Sequence, residues 1–163
     1  MLLRDEVDII CTPADVFAWL DELDRHYLLW HPDHISCNYI QGDSMAPGAV
    51  LFCQEYLHGR PHRFRMKVTR VVDGSRIEYS IGPGMAGSFS VRPAGQGVRF
   101  TAELRLGLAL PLLSRAQDAV IRRLADWRIG ALKRHMAEEG RNLKAMIEAS
   151  RPLHHRRRSP VHA

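Results

Sequence analysis

The sequence lacks a long run of apolar residues. No stretch of about 18 consecutive apolar side chains, the length that marks a transmembrane helix, occurs in the chain. The first residues, MLLRDEVDII, already carry charges at Arg4, Asp5 and Glu6, so they offer no apolar core for a secretory signal. We therefore expect a cytoplasmic protein without a membrane span.

Cysteine is also scarce. The three cysteines, Cys11, Cys37 and Cys53, are widely spaced and include no CxxC pair. An odd number of separated cysteines indicates neither a disulfide framework nor a thiolate zinc site. Each is predicted to be a small buried apolar residue.

Acidic residues are missing from the last 13 residues, which contain four arginines. Without this segment the chain carries 19 basic and 18 acidic residues, so the formal charge of +5 arises almost entirely from the terminus. A nearly neutral body does not indicate specific nucleic-acid binding. The sequence predicts a single domain, residues 1–150, followed by a disordered basic tail, residues 151–163.

Turn residues divide the domain into short segments. Thr12, Pro13 and Asp15 have the pattern of a helix start, and Asp73-Gly74 is typical of a hairpin. Strands are predicted at Glu6–Cys11, His34–Ile40, Ala49–His58, His62–Val72, Arg76–Ile81, Gly87–Arg92 and Val98–Leu106. Helices are predicted from Pro13, at Leu23–Trp30 and at Ser114–Ala149, the last opened by a capping box of Ser114 and Gln117.

The strands that follow the second helix are joined by short turns, which predicts an antiparallel sheet. The last helix would be over 50 Å long at about 1.5 Å per residue, and its single apolar face needs a large sheet to cover it. The fold class is therefore α+β. The order of elements resembles the helix-grip fold of the START and polyketide-cyclase superfamily, in which a curved antiparallel sheet wraps around the C-terminal helix and encloses a cavity.

Two ionisable residues lie on the apolar face of the last helix. His135 and Glu139 are four residues apart, so both side chains share one face at about 5–6 Å. That face also carries Ile121, Leu124, Ala125, Ala131, Leu132, Leu143 and Met146. A buried ionisable pair is costly unless it is paired, hydrogen-bonded or bound to a metal. The pattern leaves open a metal site, a buried ion pair, or a bend that exposes both residues.

Glu55 is a further candidate because of strand alternation. It shares one face with Leu51, Cys53 and Leu57, so it is the only charge on a side expected to face the cavity. An interior carboxylate in mid-strand requires a partner. A bulge that exposes it is the alternative.

Histidines are dense in the segment HYLLWHPDH, residues 26–34. His31 and His34 flank Pro32 where a helix gives way to a strand, and either could be a ligand. Asp33 could orient a neighbouring histidine. His62, on the inward face of its own strand, is a reserve candidate, and for each histidine alone a structural role is the alternative.

These segments resemble a more specific family, the diacetylphloroglucinol hydrolases. The shared features are HYLLWHPDH, a strand glutamate and HxxxE in the final helix. The resemblance implies a metal held by His34, Glu55, His135 and Glu139. The WHPDH segment is one residue shorter than the family motif, which leaves His31 as an alternative to His34. The resemblance also implies that Tyr27 helps to hold substrate hydroxyls.

Two histidines and two glutamates suit Zn²⁺, with Fe²⁺ or Mn²⁺ as alternatives. The expected function is that of a metal-dependent hydrolase that cleaves a carbon–carbon bond of a small hydrophobic aromatic or polyketide-type ketone, with Tyr27 and Glu55 in catalytic roles. Two other functions remain open: a non-catalytic module for a hydrophobic ligand, and a polyketide cyclase or dehydratase with a cavity acid–base pair. The sequence leaves a homodimer open.

Overall fold

The computed structural model describes residues 1–57, 59–107 and 114–150, and only the backbone of residues 114–127. Seven strands are β1 (Leu2–Ile9), β2 (His34–Gln41), β3 (Val50–Leu57), β4 (Arg60–Val72), β5 (Arg76–Gly82), β6 (Met85–Ala94) and β7 (Gly97–Leu106). Three helices are α1 (Pro13–Asp21), α2 (Leu23–Trp30) and α3 (Ser114–Ser150). None of the described helices is long and apolar enough to cross a membrane.

The strands form one antiparallel sheet in the order β1-β7-β6-β5-β4-β3-β2. Each strand from β2 to β7 pairs with the next along the chain, as the short turns predict, and β1 closes the other side against β7. The curved sheet with its C-terminal helix confirms the predicted α+β helix-grip fold. The sheet therefore has β1 and β2 as its edges.

The short helices follow β1 and lead into β2. Thr12 caps α1, because its Oγ1 accepts from the backbone N–H of Asp15 at 3.3 Å while Asp15 Oδ2 accepts from the N–H of Thr12 at 2.7 Å. The N-cap and first-turn pattern of the sequence is thus confirmed. Helix α2 ends at Trp30, before Pro32, which places His34 at the first position of β2.

The core lies between the concave face of the sheet and the helices. The predicted alternation holds along β3, where Leu51 and Cys53 are buried. On α3 the buried apolar residues include Met136, Leu143 and Ile147. Several predicted features lie outside the described side chains. They are the capping box at Ser114 and Gln117, the apolar positions Ile121, Leu124 and Ala125, His58, and the tail 151–163.

The predicted boundaries of two strands were wrong. Strand β1 begins at Leu2 rather than Glu6 and ends at Ile9, because residues 2–9 pair with β7 along their whole length despite the charges at Arg4 and Asp5. Strand β6 continues through Pro93 instead of ending before it. That proline lies beyond the last β5 pair, Arg76–Ser90, so it faces β7 alone and costs no hydrogen bond to β5.

Strand β4 is paired with β5 along only half of its length. The β4–β5 ladder starts at Lys67–Ser80 and runs to Val72–Arg76, whereas the β3–β4 ladder extends back to Leu57–Arg60. Strand β5 ends at Gly82, so the N-terminal half of β4 extends past it and has no ladder on that side among the described residues; we call this opening the gap in the sheet.

Candidate functional site

Four side chains that the sequence singles out meet between the sheet and α3. His34 and Glu55 are paired positions of β2 and β3, and His135 and Glu139 lie one turn apart on α3. Glu139 Oε1 is 3.1 Å from His34 Nε2 and 3.6 Å from His135 Nε2. Glu55 Oε2 is 3.8 Å from His34 Nε2 and 3.9 Å from His135 Nε2. We call these four residues the His2Glu2 cluster.

Helix α2 holds the His34 ring in one tautomer. His34 Nδ1 donates to the backbone carbonyl oxygen of Tyr27 at 2.7 Å, so in the neutral ring Nε2 carries the lone pair. The Tyr27 ring stacks on the imidazole, with centroids 3.8 Å apart and an interplanar angle of 6°. These two contacts aim the lone pair of Nε2 at the carboxylates.

The Nε2 atoms of His34 and His135 are buried, and neither makes a hydrogen bond to another described residue. Glu139 Oε1 is near both atoms, but it is not aligned with either for a hydrogen bond. A buried polar atom without a partner costs about 1–3 kcal/mol. Two such atoms that face the same carboxylates are the pattern expected around a bound ion or water.

The spacings also suit a tetrahedral ion. With bonds of about 2.0–2.2 Å from the ion to nitrogen or oxygen, neighbouring ligand atoms lie about 3.3–3.6 Å apart. The four nitrogen–oxygen distances in the His2Glu2 cluster run from 3.1 to 3.9 Å. These nitrogen–oxygen distances bracket the tetrahedral spacing, and the donor types are ones that Zn²⁺ accepts.

The pKa values of the two carboxylates of the cluster are shifted in opposite directions. Burial raises the pKa of Glu55, and the charge of Glu139 adds to that rise. Burial also acts to raise the pKa of Glu139, but the imidazoles of His135 and His34 outweigh it and hold this pKa below its usual value. Burial acts to lower the pKa of His135, yet Glu139 raises it above its usual value. His135 and Glu139 thus each favour the charged form of the other, whereas burial favours the protonated form of Glu55.

Tyr27 is bonded directly to Glu55. Its hydroxyl donates to Glu55 Oε2 at 3.0 Å. Burial and the nearby Glu55 charge raise the pKa of Tyr27, so the hydroxyl remains protonated at any physiological pH. The two residues with expected catalytic roles are therefore in contact.

His31 is the third histidine at this place, because possible ligand atoms of His31, His34 and His135 lie within 4.8 Å of one another. Both of its ring nitrogens already have partners. Nδ1 accepts from the backbone N–H of Asp33 at 3.1 Å, and Nε2 donates to Glu138 Oε2 at 2.9 Å. The His31 ring also packs against that of His135, with centroids 4.0 Å apart. This geometry favours His34 over His31 as a ligand.

Sequence analysis missed the residues that fix α3 against α2. Trp30 Nε1 donates to the backbone carbonyl oxygen of Glu139 at 2.9 Å, and Asn142 Nδ2 donates to that of Trp30 at 2.7 Å. Glu138, which binds His31, is a third such residue, and its one signal is the Glu138-Glu139 pair. Asp33 is the residue that the sequence suggests for orienting a histidine, but its carboxylate is 55% exposed and lies 3.9 Å from His31 Nδ1.

An inner chamber of about 100 Å³ adjoins the cluster, and Tyr27, Glu55, His135 and Glu139 form its polar wall. The rest of the wall is largely apolar and includes Leu23, Met66, Phe89, Leu104, Leu132 and Met136. Water would find few partners on these side chains. The chamber therefore suits an apolar group.

A vestibule of about 340 Å³ adjoins the inner chamber and shares Glu55 with it. His62, the reserve candidate, is the β4 partner of Glu55 in the sheet register and lines this vestibule. The remaining wall includes Leu57, Pro83, Met85 and Leu132. The inner chamber and the vestibule thus each combine a few polar side chains with a largely apolar wall.

A family model described as polyketide cyclase / dehydrase and lipid transport matches residues 2–148. Among solved structures, the chain resembles TTHA0849 from Thermus thermophilus, with 15% identity, a TM-score of 0.70 and coverage of 92% of this chain and 99% of that one. It also resembles KanY, with 18% identity, a TM-score of 0.69 and coverage of 91% and 97%. The di-domain ARO/CYC BexL of the BE-7585A biosynthetic pathway has 18% identity and a TM-score of 0.70, with coverage of 93% and 51%. No curated protein matches the chain.

Proposed function

The chain belongs to the polyketide cyclase, dehydrase and lipid transport family, and we propose that within it this protein is a metal-dependent hydrolase of a small aromatic or polyketide-type ketone. The proposal rests on one observation. The buried Nε2 atoms of His34 and His135 have no hydrogen bond to another described residue and face two carboxylates at 3.1 to 3.9 Å. Zn²⁺ is the ion we favour, and Fe²⁺ or Mn²⁺ would accept the same donors.

In this proposal His34, Glu55, His135 and Glu139 hold the ion. A divalent ion there would polarise a ketone carbonyl and lower the pKa of water. The apolar wall of the inner chamber would exclude bulk water and so strengthen electrostatic contacts with the substrate. Glu138 and Trp30 would keep α3 and its two ligands in place through the bonds described above.

Tyr27 and Glu55 supply the remaining chemistry. In hydrolysis of an aryl ketone, water adds to the carbonyl carbon, the bond from that carbon to the ring breaks, and the ring carbon takes up a proton. Glu55 would hold the ion through one carboxylate oxygen, and its other oxygen would take up and return the proton in these steps. Tyr27, whose hydroxyl stays protonated, is placed to bind a phenolic oxygen of the substrate at the chamber wall.

A metal-free cyclase or dehydrase is the second candidate, and the Tyr27–Glu55 hydrogen bond favours it. A hydroxyl and a carboxyl in contact at the wall of an apolar chamber form an acid–base pair without any ion. The two functions differ in their response to chelation. Activity on an aryl ketone that disappears with a chelator and returns with Zn²⁺ supports the hydrolase, whereas activity that persists supports the second candidate.

Metal analysis gives the direct test. We expect about one Zn²⁺ per chain in protein that ends at Ser150, because the tail histidines could otherwise add to the count. His135→Ala should abolish this binding. His26→Ala removes a histidine that stacks on Trp19, outside the cluster, and should retain it. Stoichiometric metal in His135→Ala would refute the site, and absence of metal together with ligand binding would leave the metal-free cyclase or dehydrase and a non-catalytic carrier.

A further inference from the structure

Three spaces in the molecule meet at two side chains. Phe64 of β4 and Ile81 of β5 line the inner chamber, the vestibule and also a groove of about 680 Å³. Arg63 and Gly82 line both the groove and the vestibule. We call this third space the outer groove. Because the same residues border all three spaces, Phe64 and Ile81 separate the outer groove from the interior.

The gap in the sheet explains why the spaces meet there. Strands β4 and β5 are joined only from the Lys67–Ser80 pair onward, and Phe64 and Ile81 lie on the open side of that pair. The β5–β6 hairpin is irregular at the same point, with a register shift between Ser80 and Gly82. Backbone hydrogen bonds therefore do not close the passage between the groove and the vestibule, and two side chains occupy it instead.

The outer groove is basic on one wall and apolar on the other. Arg63, Arg65 and Lys67 follow each other at alternate positions of β4, so their side chains share one face of the sheet. The apolar wall is formed by Ile40, Val50 and Phe52. No acidic residue is among the described lining residues, and no ion pair of these three cations occurs among the described side chains. This combination suits a molecule with one apolar part and one negative charge.

We propose that ligands reach the inner chamber through the gap between β4 and β5, and that Arg63, Arg65 and Lys67 select aromatic ligands that carry an anionic group such as a carboxylate. The ring would pass Phe64 and Ile81 while its charge remains on the basic strip. This assignment deepens the proposed function, since it narrows the substrate class to aromatic ketones that also carry an anionic group, and it rests on that function only for the chemistry inside. Binding itself requires no metal.

A pair of fluorescent probes separates charge from apolar binding. The anion 8-anilinonaphthalene-1-sulfonate and the uncharged N-phenyl-1-naphthylamine share the same rings. In the double variant Arg63→Gln/Arg65→Gln, the Kd of the anion should rise about tenfold, as expected for loss of hydrogen bonds to a charged group, while that of the neutral probe changes less than about twofold. Lys133→Gln, which removes an exposed cation of α3, should change neither. An equal loss for both probes, an unchanged anion affinity, or the same loss in Lys133→Gln would overturn the proposal.

Association rates test the passage. Phe64→Ala should increase the stopped-flow association rate of both probes by about threefold or more, and Ile81→Trp should reduce it, because gating acts on the rate of entry. Val71→Ala trims a half-buried side chain outside the three spaces and should leave the rates unchanged. If Phe64→Ala does not fold, Phe64→Leu with Ile81→Trp gives the same comparison. Rates that do not respond to either position would exclude this route.

All of these measurements are made in the presence of a chelator. A protein that binds no metal would still show the expected probe behaviour if the groove is correctly assigned. Conversely, His135→Ala could abolish metal binding while Arg63→Gln/Arg65→Gln leaves the probe selectivity unaltered. That pair of results would support the hydrolase and refute the groove. The two proposals therefore fail separately.

Discussion

His31 and His34 are three residues apart, yet their ring nitrogens meet different partners. Both nitrogens of His31 are hydrogen-bonded, whereas Nε2 of His34 is buried without a partner among the described residues. Alanine at position 31 removes packing beside His135. Alanine at position 34 removes a nitrogen whose lone pair points at two carboxylates and could bind a metal. The difference separates a supporting residue from a candidate ligand.

We expect His34→Ala to lose Zn²⁺ binding and His31→Ala to keep most of it. Loss of a residue that supports a ligand typically weakens metal affinity about 10–100-fold, so His31→Ala should still bind metal at a sufficient concentration. Isothermal titration with Zn²⁺ measures both. The reverse ranking would move the ligand to His31.

Glu55→Gln tests whether the charge of Glu55 serves a metal. In chelated protein the change should be neutral or stabilising, because burial raises the pKa of Glu55 and already disfavours the carboxylate. With metal bound, the loss of one ligand raises Kd, and the stabilisation RT ln(1 + [L]/Kd) falls with it. The Tm should therefore drop only in the metal-loaded protein. Glu78→Gln, which alters a carboxylate bonded to Arg76 outside the cluster, is the control and should shift the Tm equally with and without metal. Equal shifts with and without metal in Glu55→Gln would argue against a ligand role.

At the scale of elements, the concave face of the sheet is shaped by one close contact. The ring of Tyr79 on β5 lies over Gly87 of β6, so closely that a Cβ on Gly87 would be 2.5 Å from Tyr79 Oη and 2.7 Å from the backbone carbonyl oxygen of Glu103. Tyr79 in turn lines the inner chamber. Because Gly87 has no side chain, the Tyr79 ring can lie against it, and that ring forms part of the chamber wall.

Gly87→Ala should therefore destabilise the domain by about 1–3 kcal/mol, the usual cost of overpacking a core. Gly130→Ala is a matched change in α3, where the nearest atom is 3.9 Å away, and it should stabilise the helix by up to about 1 kcal/mol. Urea unfolding of both variants gives the comparison. A Gly87→Ala protein as stable as the parent would mean that Tyr79 can leave the chamber wall at no cost.

At the scale of the whole molecule, local periodicity was enough to predict most of the fold. Alternation along β3 pointed Glu55 inward, and the four-residue spacing placed His135 and Glu139 on one face, because both patterns depend only on neighbouring residues. The Tyr27–Glu55 and His31–Glu138 bonds join residues 28 and 107 positions apart, so no local pattern contains them. The extension of β6 through Pro93 depended likewise on where β5 begins.

The half-paired strand β4 also has a consequence for hydrogen exchange. In residues 63–66, alternate amide groups point away from β3, on the side where the β4–β5 ladder has not yet begun. We expect these amides to exchange with solvent deuterium orders of magnitude faster than the amides of residues 68–72 that point towards β5, because that part of the strand lies in the β4–β5 ladder. Exchange followed by NMR would show one strand with two protection levels. Uniform protection along β4 would mean that the gap closes in solution for most of the time.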